Sequence, residues 1–261
     1  MNTENTGPWP RRVNVIGVGV SAISIPVALE QIDRWIANKC RQYVCVADVH
    51  AVMQSRWDPA FRRIHNKAGM VTPDGMPLVW LCRSRHPDVS RVYGPDLMLA
   101  ACGHGVARGT RHYLFGGDDG VAGELAASLT LRFPGIEICG TWTPPFRPLT
   151  PEEIEETVAR INQAAPDIVW VGLGTPKQEK WMDQFRARLD APVLVGVGAA
   201  FDFLSGRKPQ APALIRRSGL EWLFRLATEP KRLWPRYRRV IPGFLFALAC
   251  QKLRPWGFRI E

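Results

Sequence analysis

The sequence predicts an α/β fold: a mainly parallel sheet flanked by helices, followed by a basic helical appendage at the C-terminus. Three observations carry this. Near-continuous apolar runs alternate with amphipathic stretches, as strands buried on both faces alternate with the helices that cover them. Most of those runs end in glycine-bearing turns. The charge is also unevenly divided. Residues 1–206 hold 21 basic and 21 acidic side chains, whereas residues 207–261 hold 13 basic and 3 acidic ones, so the net +10 of the 261-residue chain lies in its last part. The expected organisation is a neutral body over 1–206 and a basic, amphipathic appendage over 207–261 that meets something anionic.

The elements follow in order. Residues 13–18 form a short β-branched run closed by glycine and read as a first strand. Residues 26–40 have helical spacing, with Val27, Ile32, Trp35 and Ile36 as the apolar stripe. Residues 43–47 read as a second strand leading into Asp48-Val49-His50. Three more strands are expected: 112–115 before Gly116-Gly117, 168–171 before Gly172, and 193–195 before Gly196-Val197-Gly198. The first two of these lead into helices over 121–133 and 178–189. Thr150-Pro151-Glu152-Glu153 opens another helix, with Thr150 as cap, Pro151 at the first helical position and Glu153 completing a capping box.

Composition excludes several classes. With 46% apolar and 22% charged residues the chain is a folded one, not a disordered one. No segment reaches the roughly 18 uncharged apolar residues of a membrane span. The polar first ten residues lack the apolar core of a secretion signal, so a cytoplasmic protein is expected. The six cysteines show no CxxC pair and read as reduced structural thiols. A DxD pair, a GxSxG elbow, an HExxH motif and a kinase signature are all missing, and the five histidines are isolated. A metal is therefore not expected.

Open α/β sheets bind ligands where strand ends, loops and helix N-termini gather, so the candidates lie there. Gly116-Gly117-Asp118-Asp119-Gly120 after the 112–115 strand suits a structural turn and a phosphate-approaching loop equally. Gly172-Leu173-Gly174-Thr175-Pro176-Lys177-Gln178-Glu179 collects more chemistry than a plain turn needs and is favoured as a ligand loop. Pro73-Asp74-Gly75 has turn composition, yet Asp74 can act as a general base if it faces the cleft. In Arg91-Val92-Tyr93-Gly94-Pro95-Asp96, Asp96 suits a helix N-cap, and Arg91 can pair with a carboxylate or a phosphate.

The basic end mixes Trp222, Phe224, Trp234 and Tyr237 with Arg225, Lys231, Arg232 and Arg236 over residues 218–237. An uncharged run at 240–250 follows, flanked by Arg238, Arg239, Lys252, Arg254 and Trp256. It is too short to span a bilayer and suits a segment lying in the headgroup region, the alternative being a helix packed on the body. A nucleic-acid-binding protein would use the same charge, but an uncharged run has no place in a nucleic-acid groove, and no such partner is expected. A dinucleotide-dependent oxidoreductase lacks its GxGxxG fingerprint here.

Taken together, PDGMPLVW at 73–80, RVYGPDL at 91–97, YLFGGDDGVA at 113–122, RFPGIEICG at 132–140, PDIVWVGLGTPKQEKWM at 166–182, GVGAAFDFLSGRKPQAP at 196–212 and GLEWLFRLATEPKRLWPRY at 219–237 resemble the bacterial TagA/WecG/CpsF glycosyltransferases, glycosyltransferase family 26. The resemblance runs from about residue 12 to 245. It implies a Rossmann-like catalytic domain over 1–206 that binds a UDP-sugar, and an appendage over 207–261 for acceptor and membrane contact. The implied reaction is an inverting, metal-independent hexosyl transfer from the UDP-sugar to a polyprenyl-diphosphate-linked saccharide. It would occur on the inner face of the plasma membrane, in cell-envelope or exopolysaccharide biosynthesis, without a cofactor. The resemblance places the catalytic base on Asp74. It implies a donor site drawn from Asp48, Gly75, Arg91, Asp96, Gly116, Gly117, Gly172, Gly174, Lys177, Gln178 and Glu179. The acceptor diphosphate would meet Arg225, Lys231, Arg232 and Arg236. Many members carry Thr-Pro-Asn after the second strand, where this chain has Val46-Ala47-Asp48 followed by His50. The donor stays open between N-acetylmannosamine, which is favoured, its uronic acid, and a hexose such as glucose. A homo-oligomer is compatible with the sequence.

Overall fold

Arg12–Val15 (β1) and Val18–Ser21 (β2) pair antiparallel as a two-stranded sheet of their own, instead of forming the single strand expected over 13–18. The break falls at Ile16-Gly17, whose φ values of 53° and 88° are the left-handed pair a tight hairpin needs. The Asn14 side chain secures the turn by accepting from the Gly17 N–H at 2.8 Å. The structure, a computed structural model, describes residues 10–254 and 257–260, apart from the side chains of Ala213, Arg217 and Arg232.

Beyond the hairpin come α1 (Ile25–Ala37), β3 (Gln42–Ala47), α2 (Val49–Trp57), α3 (Pro59–Lys67), β4 (Met70–Pro73), α4 (Met76–Arg83) and α5 (Gly94–Val106). They are followed by β5 (Arg111–Gly116), α6 (Val121–Arg132), β6 (Glu137–Trp142), α7 (Pro151–Gln163), β7 (Ile168–Gly172), α8 (Lys177–Phe185) and β8 (Val193–Gly196). The chain closes with α9 (Ala200–Leu204), α10 (Ala213–Ser218), α11 (Glu221–Thr228) and α12 (Pro230–Leu253). The Thr150 capping box forms as expected.

β3 to β8 make one six-stranded sheet in the order β4-β3-β8-β7-β5-β6, with every pairing parallel. This is the α/β, parallel-sheet architecture that the alternating pattern predicts and the Rossmann-like one that the resemblance implies. Two apolar clusters cover its two faces, one containing Tyr43, Cys45, Phe115 and Val171, the other Val44, Leu114, Trp170 and Val195. Neighbouring residues on one strand fall in opposite clusters, which is why the strands read as unbroken apolar runs.

Two local expectations need correction. Val27 is exposed, because α1 turns Ala28, Gln31, Ile32 and Trp35 inward and the true stripe begins one residue later. Asp96 is not an N-cap. Tyr93 holds that position and Asp96 lies in the first turn of α5.

The connections set where a ligand can enter. β5 leads outward to its neighbour β6, whereas β7, on its other side, leads back to β8. The chain therefore leaves β5 and β7 in opposite directions, and a crevice opens between their carboxyl ends. α12 returns across the body to pack on α2, burying Val240, Phe244 and Ala247 in the cluster that holds Cys45 and Phe115. One face of the uncharged 240–250 run is thus core, while Ile241, Leu245 and Phe246 stay exposed. The chain end closes on the hairpin: Gln251 accepts from the Ile16 N–H at 3.0 Å, and the Asn14 amide donates to the Phe258 carbonyl. Trp256 lies outside the described residues.

Candidate active site

Two cavities line the carboxyl edge of the sheet. The larger, about 1240 Å³, is the crevice between β5 and β7. Gly117 and Asp118 enter it from the β5 turn, and Gly172, Gly174 and Lys177 from the β7 turn. The 144–149 loop, Lys208 and Arg225 complete its walls. Its floor requires glycine. Gly116 has φ 114°, and a Cβ there would lie 2.8 Å from the carbonyl carbon of Gly172. A Cβ on Gly172 would in turn lie 2.6 Å from the Phe201 ring. The two strand ends meet backbone to backbone, and the N-termini of α6 and α8 follow directly, offering N–H groups to an anion.

The smaller cavity, about 520 Å³, sits at the ends of β3 and β4 and is walled by α4, α11 and α12. Asp48 and Asp74 follow the two strands into it, joined by His50, Arg91, Arg216, Glu221 and Arg225. Asp48 caps α2, accepting from the Ala51 N–H at 2.8 Å. Gly75 caps α4 without a side chain and packs against the Asp48 backbone.

Arg91 organises the carboxylates. Its Nη2 lies 2.9 Å from Asp74 Oδ1 and 2.7 Å from Glu221 Oε2, while its Nε donates to the Asp74 carbonyl. The guanidinium lies 4.2 Å over the Tyr93 ring, which fixes its plane. Glu221 passes its other oxygen to Arg225 Nη2 at 2.5 Å. The result is an Asp74–Arg91–Glu221–Arg225 chain running from the sheet to α11. Among the described residues, Arg225 alone borders both cavities.

The electrostatics suit a base. Burial raises Asp74 to about 7; Arg91 and Arg225 pull it down, and Glu221 and Asp48 push it further up. Burial also works to raise Glu221, but Arg225 and Arg91 outweigh it and hold that carboxyl below its usual range. The two acids thus differ: Glu221 is a fixed anion, and Asp74 can exchange a proton near neutrality. His50 is lowered chiefly by burial, and by the charge of Arg236, so it is neutral at pH 7.

The other expected site residues divide. Gly117, Gly172, Gly174 and Lys177 line the larger cavity and Gly116 underlies it. Asp48, Gly75, Arg91 and Asp74 meet at the smaller one. Gln178 and Glu179 are buried, with Glu179 accepting from Thr175 at 2.8 Å and from Gln178 at 3.1 Å, so they brace the β7 turn from below. Asp96 lines neither cavity and pairs with Arg216 at 3.1 Å, tying α10 to α5. Of the appendage cations, Arg225 is at the site, Lys231 and Arg236 line neither cavity, and the side chain of Arg232 lies outside the described part. Glu221, Arg216 and Trp80 line the smaller cavity without having been singled out. A signal for Glu221 was present: a Glu four residues before Arg225 on one helix is a favourable pair.

Fold and cavities together define an α/β protein with an acid–arginine pocket beside a glycine-floored crevice at the carboxyl edge of a parallel sheet. The chain belongs to the glycosyl transferase WecG/TagA/CpsF family, whose model matches residues 13–257, and it is a glycosyltransferase. It is 29% identical over 207 residues to an N-acetylglucosaminyldiphosphoundecaprenol N-acetyl-beta-D-mannosaminyltransferase of Bacillus spizizenii, covering 79% of this chain and 78% of that one. It is 26% identical over 246 residues to the protein of the same description in Staphylococcus aureus, covering 92% and 93%.

Proposed function

We propose that the protein transfers N-acetylmannosamine from its UDP derivative to a polyprenyl-diphosphate-linked N-acetylglucosamine, with inversion at the anomeric carbon. The observation that carries this is Arg225: one side chain borders both the switch-point crevice and the Asp74 cavity, so a nucleotide in the first and an acceptor in the second have a common wall. The relatives named above act on this acceptor and sugar.

In the proposed step, an acceptor hydroxyl in the smaller cavity gives its proton to Asp74 as its oxygen attacks the anomeric carbon. The bond from that carbon to the UDP oxygen breaks, and UDP leaves with the electron pair. A base whose carboxyl titrates near 7 is matched to this work at neutral pH. Charge building on the departing diphosphate would be met by the N–H groups at the start of α8 and by Lys177, Lys208 and Arg225, all at the larger cavity, without a metal or cofactor.

The appendage would hold the protein to the anionic inner face of the membrane. Among the described residues no helix is long and apolar enough to cross a membrane. α12 instead leaves Trp234, Phe246 and Leu253 exposed beside Arg238, Arg239 and Lys252, the composition of a helix that lies in the headgroup region. The test is UDP release from a panel of UDP-sugars with a short-chain N-acetylglucosaminyl-diphosphate lipid. UDP-N-acetylmannosamine should turn over fastest, with EDTA present. Preference for UDP-glucose or a UDP-hexuronic acid would replace the donor assignment.

A further inference from the structure

The smaller cavity changes character along its length. Its inner end, at the sheet, holds Asp74, Arg91 and Glu221. Its outer end, between α4 and α12, is hydrocarbon, and two large side chains there are open to solvent, Trp80 at 55% and Leu245 at 62%. Ile241 and Trp222 border the same mouth and are also exposed. Apolar side chains gathered at the mouth of a charged pocket mark a binding surface, not packing.

We propose that this outer half is a prenyl-chain subsite, in which the isoprene units nearest the acceptor diphosphate lie between α4 and α12 against Trp80, Ile241 and Leu245. The subsite rests on the glycosyl-transfer reading above. The acceptor hydroxyl must reach Asp74, so the saccharide enters first and the hydrocarbon trails toward the mouth. The order of the ligand, hydroxyl then diphosphate then hydrocarbon, matches the order of the walls, carboxylate then arginine then apolar. Position separates this surface from the membrane-facing one. Trp80 and Leu245 line the cavity that holds Asp74, from α4 and α12, whereas Phe246 and Leu253 line neither cavity.

The test measures binding of farnesyl diphosphate and of inorganic diphosphate to the full chain by calorimetry, in buffer free of vesicles and detergent. Burying even a few prenyl carbons should make the farnesyl compound bind at least about ten-fold tighter. The double substitution Trp80→Ser, Leu245→Ser should bring the two affinities within about three-fold, with the melting temperature close to wild type because both residues are exposed. Phe246→Glu should keep the prenyl preference while weakening sedimentation with anionic vesicles. Equal affinities in the wild type, or a preference that survives the double substitution and disappears in Phe246→Glu, would overturn the subsite. Sugar transfer to a water-soluble acceptor is measured on the same preparation. Transfer without prenyl preference sinks the subsite alone, and prenyl preference without transfer sinks the catalytic reading alone.

Discussion

Arg91 holds Asp74 twice, by its carboxylate at 2.9 Å and by its backbone carbonyl. The grip positions the residue and favours its ionised form against the burial that raises it, and Arg91 is the one side chain among those described that hydrogen-bonds the Asp74 carboxylate. Because the same guanidinium carries Glu221, Asp74 and the appendage share one support.

The rate of transfer should follow the ionisation of Asp74. With its carboxyl near 7, kcat/KM should rise about ten-fold per pH unit below that value and level off above it. A pH profile with a short-chain acceptor checks this. A flat profile between pH 5 and 8 would remove Asp74 from the proton-transfer role.

Stability should respond in the opposite sense. Asp74 is raised from 3.8 to about 7 by folding, so between those values the native state binds more protons than the unfolded one, and stability falls as pH rises. The penalty is complete above about 7. Asp74→Asn should therefore melt near the wild type at pH 4 and above it at pH 8, measured by calorimetry at both.

Glu221→Gln should loosen the appendage and shift the titration of Asp74 together. It leaves Arg225 without its carboxylate partner and costs about 3 kcal/mol, or roughly 10 °C in Tm for a chain of this size. Since Glu221 also pushes Asp74 up, the acid limb of the pH profile should move to lower pH. A lower Tm with an unmoved acid limb would make Glu221 merely structural.

Gly116→Ala should damage the crevice without touching Asp74. The added Cβ meets the Gly172 backbone at 2.8 Å at a φ of 114°, so one strand end must move. A cost of at least about 2 kcal/mol is expected, with UDP binding weakened ten-fold or more. Wild-type UDP affinity by calorimetry would show that the crevice is not the nucleotide site.

Much of this was legible in the sequence, and the parts that were not share a cause. The buried strands at 43–47, 112–115, 168–171 and 193–195 show as apolar runs because parallel strands are covered on both faces, and the glycine turns after the last three mark the crevice. The Asp74 loop was legible as a motif, although its composition alone read as a turn. The hairpin was not, since Val13 to Ser21 is buried almost throughout and the reversal rests on Ile16 adopting a positive φ that β-branched residues rarely take. α2 was missed because Val49 to Trp57 has no apolar stripe, and β6 because it is a partly exposed edge strand. The role of Glu221 depends on Arg91, 130 positions earlier, a pairing that only the tertiary fold creates.

Asp74→Asn tests the central claim most directly. The variant keeps shape and can still accept from Arg91, but it cannot take a proton. Transfer from UDP-N-acetylmannosamine to a short-chain N-acetylglucosaminyl-diphosphate lipid should fall about 10²–10⁴-fold while UDP-sugar affinity holds within about three-fold. Transfer near the wild-type rate would contradict the assignment of Asp74 as the base.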